Sequence, residues 1–212
     1  MTDIKYYCNS AEDVPGWTDP LQHEHYCKIV EQLPENPVFL EIGCGWGKST
    51  WAWMDVLPPE AELYIVDLFW EDWSTMLPKN KNALLVKDSE KCLAYMDQEN
   101  AKGKNQRDFF EEFISQHKNH HILKHIYEGD FSDLKWELDK LKPRINGVYL
   151  DGGHLYDQVY GQLEYFLDVP VLCGDDIYHD SVRHALWDWA KQYRRAPKII
   201  PSVNFFVANY IS

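Results

Sequence analysis

The sequence predicts an α/β protein built on a doubly wound, mostly parallel sheet of about seven strands. Three observations carry that prediction. The runs VFLEIG (38–43), ELYIVD (62–67), GVYLDGG (147–153) and VPVLCGDD (169–176) have the length and apolar, β-branched character of buried strands. Stretches with helical spacing separate them. The first run also passes through a glycine-rich turn into a helix and then into the second run, the order of a parallel βαβ unit.

The elements follow in order. Residues 1–18 read as irregular, with a turn at Pro15-Gly16. Asp19 then caps a helix with Pro20 at its first position, apolar residues recur at Tyr26, Ile29, Val30 and Leu33, and Pro34 ends the run. After the glycine turn, STWAWMDVL (49–57) is helical up to Pro58-Pro59. Residues 70–105 hold no period and read as an insertion, either a substrate loop or a surface excursion. A helix at 106–117, a third strand within 121–130 and a helix at 132–141 capped by Ser132 come next. Beyond GVYLDGG lies a helix at 158–167. Beyond VPVLCGDD is an amphipathic helix at 181–193 with Val182, Ala185, Leu186 and Trp189 on one face. KIIPSVNFFVANY (198–210) reads as two short strands forming an antiparallel hairpin at one sheet edge. The 212 residues suit one domain, with a helical cap at about 1–36.

Composition narrows the function. A formal net charge of -13 opposes sequence-independent nucleic-acid binding and anionic membrane surfaces. No apolar run reaches the roughly 18 residues of a spanning helix. Cys8, Cys27, Cys44, Cys92 and Cys173 are scattered and odd in number, the usage of a reducing, cytoplasmic compartment. Aromatics at 15%, with 9 Trp and 13 Tyr, suit a pocket for a flat or apolar ligand. The oligomeric state stays open, a homodimer included.

Glu41-Ile-Gly43-Cys-Gly45-Trp-Gly47 lies at the first strand-to-helix turn. Glycines at alternate positions let backbone approach a ligand closely, and the turn leads to the free N–H groups of a helix start. A phosphate-binding P-loop needs a glycine where Ile42 stands, and the dinucleotide fingerprint needs one where Lys48 stands. What remains, a carboxylate two residues ahead of the first of three glycines, suits a ligand with a cationic amino group.

The stretch EIGCGWGKST resembles motif I of the class I S-adenosylmethionine-dependent methyltransferases, and within them the macrocin O-methyltransferase and cephalosporin-hydroxylase-like group. Four more segments resemble that group in order: Asp67 in YIVDLF, Gly129-Asp130, Leu150-Asp151-Gly152-Gly153-His154-Leu155-Tyr156, and Gly174-Asp175-Asp176-Ile177-Tyr178 with Val182-Arg183. The likeness spans roughly residues 38–190. It departs at Gly153, where the group has Asp, and at Leu167-Asp-Val-Pro170, where it has a glycine pair. It implies the Rossmann-like methyltransferase fold and S-adenosylmethionine as cofactor. It also implies O-methylation of a small-molecule hydroxyl, on a sugar or a phenolic or catechol-like acceptor. By the resemblance Gly43, Gly45 and Gly47 meet the cofactor's methionine end, Asp67 binds the ribose hydroxyls and Asp130 meets adenine. Glu41 holds either the turn or the methionine amino group, with a strand-end carboxylate satisfying the helix start as its alternative.

Asp151, Asp175 and Asp176 sit at the carboxyl ends of neighbouring strands and repel one another unless a cation neutralises them, which makes them candidate ligands of Mg²⁺. The alternative is that Asp151 contacts cofactor or substrate while Asp175 or Asp176 caps the next helix. For Asp130 the alternative is a cap on the helix that follows it. His154, beside Asp151, is the candidate base for the acceptor hydroxyl, with a loop-orienting role as the alternative and His179, three residues after Asp176, as a weaker alternative base or ligand. The remaining histidines read as solvated. Gly16-Trp17-Thr18 is expected to pack Trp17 on the core, with closure over the ligand as the alternative. Two other functions fit the glycine turn: an inactive nucleoside-binding module and, weakened by Lys48, a nicotinamide oxidoreductase.

Overall fold

The apolar runs become strands whose alternation sends side chains to two faces. They are β1 (Val38–Ile42), β2 (Glu62–Asp67), β3 (Leu123–Glu128), β4 (Gly147–Leu150), β5 (Val171–Gly174), β6 (Lys198–Ile200) and β7 (Phe205–Asn209). The structure, a computed structural model, describes residues 4–69 and 85–210. Residues 70–84, the first part of the stretch without a period, lie outside the described residues.

The seven strands form one sheet in the order β3-β2-β1-β4-β5-β7-β6. β1 to β5 are parallel, and β7 is antiparallel to both β5 and β6. The expected hairpin is present, but its second strand is the one that joins the sheet. β7 is buried along its length while β6 is partly exposed, so the more apolar strand takes the interior position.

Helices cover both faces. α1 (His23–Val30), α2 (Lys48–Val56), α3 (Ser89–Asn100) and α4 (Gln106–Ser115) share a core with Phe39, Tyr149 and Cys173. α5 (Phe131–Leu141), α6 (Tyr156–Tyr165) and α7 (Asp180–Tyr193) share the other with Leu40, Val148 and Leu172. Adjacent strand residues thus feed opposite cores, as the two-residue period requires. Trp53 anchors the first core, fully buried with its ring centroid 4.0 Å from Tyr26 and 4.5 Å from Phe39.

Asp19 accepts from the Leu21 amide at 2.8 Å, and a 3-10 turn at Pro20–Gln22 precedes α1. α5 is capped by Asp130 rather than Ser132: its carboxylate accepts from the Ser132 amide at 2.7 Å. α3 lies inside the stretch that showed no period. Asp88 caps it and Cys92, Leu93, Tyr95 and Met96 are buried, but only three turns carry that spacing. His117 is buried, not solvated, with Nε2 3.1 Å from Asp55 and its ring 4.7 Å from Trp51. The five cysteines are free thiols, four of them buried. Among the described residues no helix is long and apolar enough to cross a membrane.

Candidate functional site

Strand register creates the site. Ile42 lies level with Val66 and Leu150, and Leu150 with Gly174. The next residues, Gly43, Asp67, Asp151 and Asp175, therefore leave the sheet in one row. Backbone bonds continue past the strand ends: Gly43 N–H to Val66 O at 2.8 Å, Asp151 N–H to Ile42 O at 2.8 Å and Asp175 N–H to Leu150 O at 3.0 Å. The row crosses the point between β1 and β4 where strand order reverses, which is where open α/β sheets bind ligands. A cavity of about 1160 Å³ opens there.

One half of the cavity is the glycine turn. Gly43 has φ +87°, and a Cβ on it would lie 2.4 Å from the Asp151 carbonyl oxygen and 2.4 Å from the Gly152 Cα. A side chain would push β1 and β4 apart. Gly45 has φ +56° and lines the cavity with nothing within 4 Å of where its Cβ would stand, so its backbone faces open space. Gly47 is outside the cavity wall, and a Cβ there would meet Ile114 and Phe110 of α4.

Glu41 is fully buried, away from the cavity. Its two oxygens accept from the hydroxyls of Ser49 at 2.5 Å and Thr50 at 2.6 Å, so it ties β1 to the first turn of α2. Burial lifts its pKa to about 7 against the pull of both hydroxyls. Asp67 lines the cavity. One oxygen accepts from the Cys44 and Gly45 amides at 2.7 and 3.0 Å, the other from the Phe69 amide at 2.8 Å. Asp130 lines the same half while capping α5. Trp17 lies over this half, half exposed, its ring 5.3 Å from Trp46; the segment borders the cavity instead of packing into the core. Lys48, absent from the predicted site, is a buried wall residue whose pKa burial lowers to about 8.

The other half holds the acids and histidines. Asp151 and Asp175 meet through one hydroxyl, with Tyr149 Oη 3.4 Å from Asp151 Oδ2 and 3.5 Å from Asp175 Oδ2. Gln22 Nε2 donates to Asp175 Oδ2 at 2.7 Å, and Tyr26 Oη is 3.1 Å from both Tyr149 Oη and Gln22 Oε1. Burial and then the Asp175 charge raise the Asp151 pKa well above the carboxyl range, and burial raises Asp175 to about 6. Asp176 turns elsewhere: its Oδ2 is 2.5 Å from His154 Nε2, its Oδ1 is 3.9 Å from His179 Nε2, and Asn204 Nδ2 donates to Oδ1 at 3.1 Å. Burial opposes ionisation of Asp176, but the His154 contact outweighs it and holds the pKa below its ordinary value. His154 is raised in return by its bond to Asp176.

Neither a family model nor a curated protein matches the chain. Solved structures do match over nearly its whole length. The cofactor-bound protein Rv0187 from MTB superposes with a TM-score of 0.55 at 9% identity, covering 94% of this chain and 84% of that one. An O-methyltransferase from Bacillus cereus in complex with SAH gives 0.51 at 13% identity, covering 95% and 86%. At such identities the likeness is one of fold. The chain has the Rossmann-like fold of the class I methyltransferases. Within that methyltransferase fold, the structure brings Gly43, Gly45, Asp67, Asp130, Asp151, His154, Asp175 and Asp176 to one cavity, and leaves Glu41 and Gly47 behind its wall.

Sequence reasoning missed Gln22, Tyr26, Tyr149 and Asn204. Three of these lie in ordinary helical or strand patterns and reach the acids only through tertiary packing. Asn204 has φ +57°, and an Asn in a Pro-Ser-Val-Asn turn between strands was the available signal.

Proposed function

We propose that the chain is an S-adenosylmethionine-dependent methyltransferase that O-methylates a small-molecule hydroxyl, on a sugar or a phenolic or catechol-like acceptor. The observation that carries this reading is the single cavity at the strand-order reversal, in which a close-approach glycine turn and Asp67 face a proton-accepting cluster. The SAH-bound Bacillus cereus neighbour supports it. The cavity fits such a cofactor: the space beyond Gly45 is what a Cβ would fill, and about 1160 Å³ leaves room for an acceptor beside it.

When bound, S-adenosylmethionine supplies a sulfonium methyl group for in-line displacement. The chain's own residues position the partners. The Gly43–Gly45 backbone bounds the methionine end. Asp67, its oxygens already oriented by three amides, keeps one acceptor site, on Oδ1, for a ribose hydroxyl. Asp130 is placed for the adenine amino group. Asp151 is the group placed to take the acceptor's proton: it lines the cavity, and burial and the Asp175 charge raise its pKa, so it acts in the fraction of chains where it is ionised. His154 is the weaker candidate, because its Nε2 faces Asp176. With Asp176 it forms the wall against which the acceptor oxygen rests.

The resemblance also implies Mg²⁺ on Asp151, Asp175 and Asp176. The charge of the three acids fits a cation, but their oxygens do not converge: two face Tyr149 and Gln22 while the third faces His154. No step is assigned to Mg²⁺. Free thiols throughout agree with a reducing, cytoplasmic setting. The net charge of -13 agrees with a small acceptor rather than a nucleic acid.

Calorimetry with S-adenosylmethionine, SAH and NAD, followed by transfer of labelled methyl to a panel of phenols, catechols and sugars, tests the reading. One SAH bound per chain and methylation of a hydroxyl are expected. Preference for NAD, or no binding of either nucleoside, rejects it. SAH binding without transfer to any acceptor reassigns the chain to a nucleoside-binding module.

A further inference from the structure

The side chains of His154, Asp176 and His179 gather at the rim of the acid half of the cavity, all three lining it. One donor atom from each lies within 4.8 Å of the others. Two ligands of one tetrahedral ion with bonds of about 2.0–2.1 Å stand roughly 3.4 Å apart. The observed separations, 2.5 Å from His154 Nε2 to Asp176 Oδ2 and 3.9 Å from His179 Nε2 to Asp176 Oδ1, straddle that spacing. Rotations of partly exposed imidazoles close the difference.

The supports around the three donors are those of a built site. Asp176 has φ +62°, a left-handed conformation that costs a non-glycine residue stability and turns its carboxylate toward the histidines. Asn204 Nδ2 holds Oδ1 at 3.1 Å, and the Asn204 carboxamide oxygen accepts from the Tyr178 amide at 2.8 Å, so the positioning group is itself fixed. The His179 amide donates to the Asp176 carbonyl at 2.8 Å, and the Ser181 hydroxyl anchors the His154 carbonyl. The two rings are parallel, with an interplanar angle of 5° and centroids 4.5 Å apart, so both present their edges to the same carboxylate. Asp151 and Asp175 stand close behind, and among the described residues no Lys or Arg forms an ion pair with any of the three acids.

We infer that His154, Asp176 and His179 bind one divalent transition-metal ion, of the zinc, manganese, iron or cobalt class. Two imidazole nitrogens and one carboxylate oxygen select such ions over Mg²⁺, which prefers oxygen ligands and retains its waters. The protein supplies three ligands from one side and leaves the cavity side open, the arrangement of a site that receives a further ligand. Binding stands on these residues alone. The ion's role, polarising an acceptor hydroxyl, rests on the methyl-transfer reading.

The test uses the chelator-stripped full chain and Co²⁺ as probe, read by visible absorption and calorimetry without cofactor or acceptor. One Co²⁺ per chain is expected, displaced by Zn²⁺ and not by millimolar Mg²⁺. His179→Gln and Asp176→Asn should each weaken binding at least tenfold and Asn204→Ala several-fold, while Asp151→Asn stays within about threefold. Thermal unfolding confirms that each variant is folded. Absence of Co²⁺ binding overturns the inference. So does equal binding by His179→Gln, which marks adventitious sites on other histidines. Displacement by Mg²⁺ together with loss in Asp151→Asn also overturns it, since that is the oxygen-only site. A chain that binds SAH but not Co²⁺ refutes this inference alone, and one that binds Co²⁺ but no nucleoside refutes methyl transfer alone.

Discussion

Replacing Glu41 with Gln measures what holds the glycine turn to the following helix. Glu41 is buried with no ion-pair partner among the described residues, and its oxygens accept from Ser49 and Thr50 at 2.5 and 2.6 Å. Its pKa rises from an ordinary 4.5 to about 7, with burial as the main cause. Between those values the folded chain binds a proton that the unfolded chain has released, so stability falls as pH rises. Below pH 4.5 both states are neutral and nothing is lost; above pH 7 the whole difference has been lost, about 3 kcal/mol for a rise of this size. Gln keeps the shape and has no charge to bury, and the hydroxyls can rotate to accept from its amide. The wild type should therefore lose about 3 kcal/mol relative to Glu41→Gln between about pH 4.5 and pH 8. Asp151 and Asp175 also titrate upward in both proteins, so their contributions cancel apart from the repulsion between Glu41 and Asp151, which ranks behind burial and the Asp175 and Asp176 charges. Urea unfolding followed by tryptophan fluorescence across that range reads it directly. A wild-type-minus-variant difference that stays flat with pH would show that Glu41 is not a desolvated carboxyl, and the account of the turn would be wrong.

Three further outcomes are expected. Gly43→Ala forces a side chain into the Asp151 carbonyl from a backbone at φ +87°, and should cost about 3 kcal/mol of unfolding free energy along with nucleoside binding, checked by urea melts and calorimetry. Asp67→Ala strips the acceptor from three amides, so SAH affinity should fall at least tenfold and the urea midpoint should drop too. An unchanged midpoint would mean the amides find water instead. Trp17→Ala removes a half-exposed wall, and should weaken SAH or acceptor binding several-fold while changing unfolding free energy by less than about 0.5 kcal/mol.

The fold was legible because its signals are local. VFLEI, ELYIVD and VLCG each carry consecutive apolar residues in place of a polar/apolar alternation, as a strand covered on both faces requires. The glycine turn fixed the first crossover. α3 escaped because only Cys92, Leu93, Tyr95 and Met96 mark its buried face, after a long stretch with no period. The order of β6 and β7 was not local either: it depends on which strand buries better against β5, a comparison between two elements.

The site divides along the same line. Placing Asp67, Asp151 and Asp175 at strand ends needed only the strand boundaries, because parallel register puts all such ends on one edge of the sheet. The direction in which each carboxylate turns depends on residues far along the chain. Gln22, 153 residues from Asp175, and Tyr149, on the strand of Asp151 but 26 residues from Asp175, draw Asp151 and Asp175 into a buried hydroxyl network. Asn204, 28 residues beyond Asp176, holds that residue toward the histidines instead. A motif that reads as three equivalent acids thus becomes two different groups. One is a buried carboxyl pair with high proton affinity; the other is an ionised carboxylate in the grip of two imidazoles. Environments that pull like groups apart are what allow one cavity to accept a proton at one point and hold a positive charge at another.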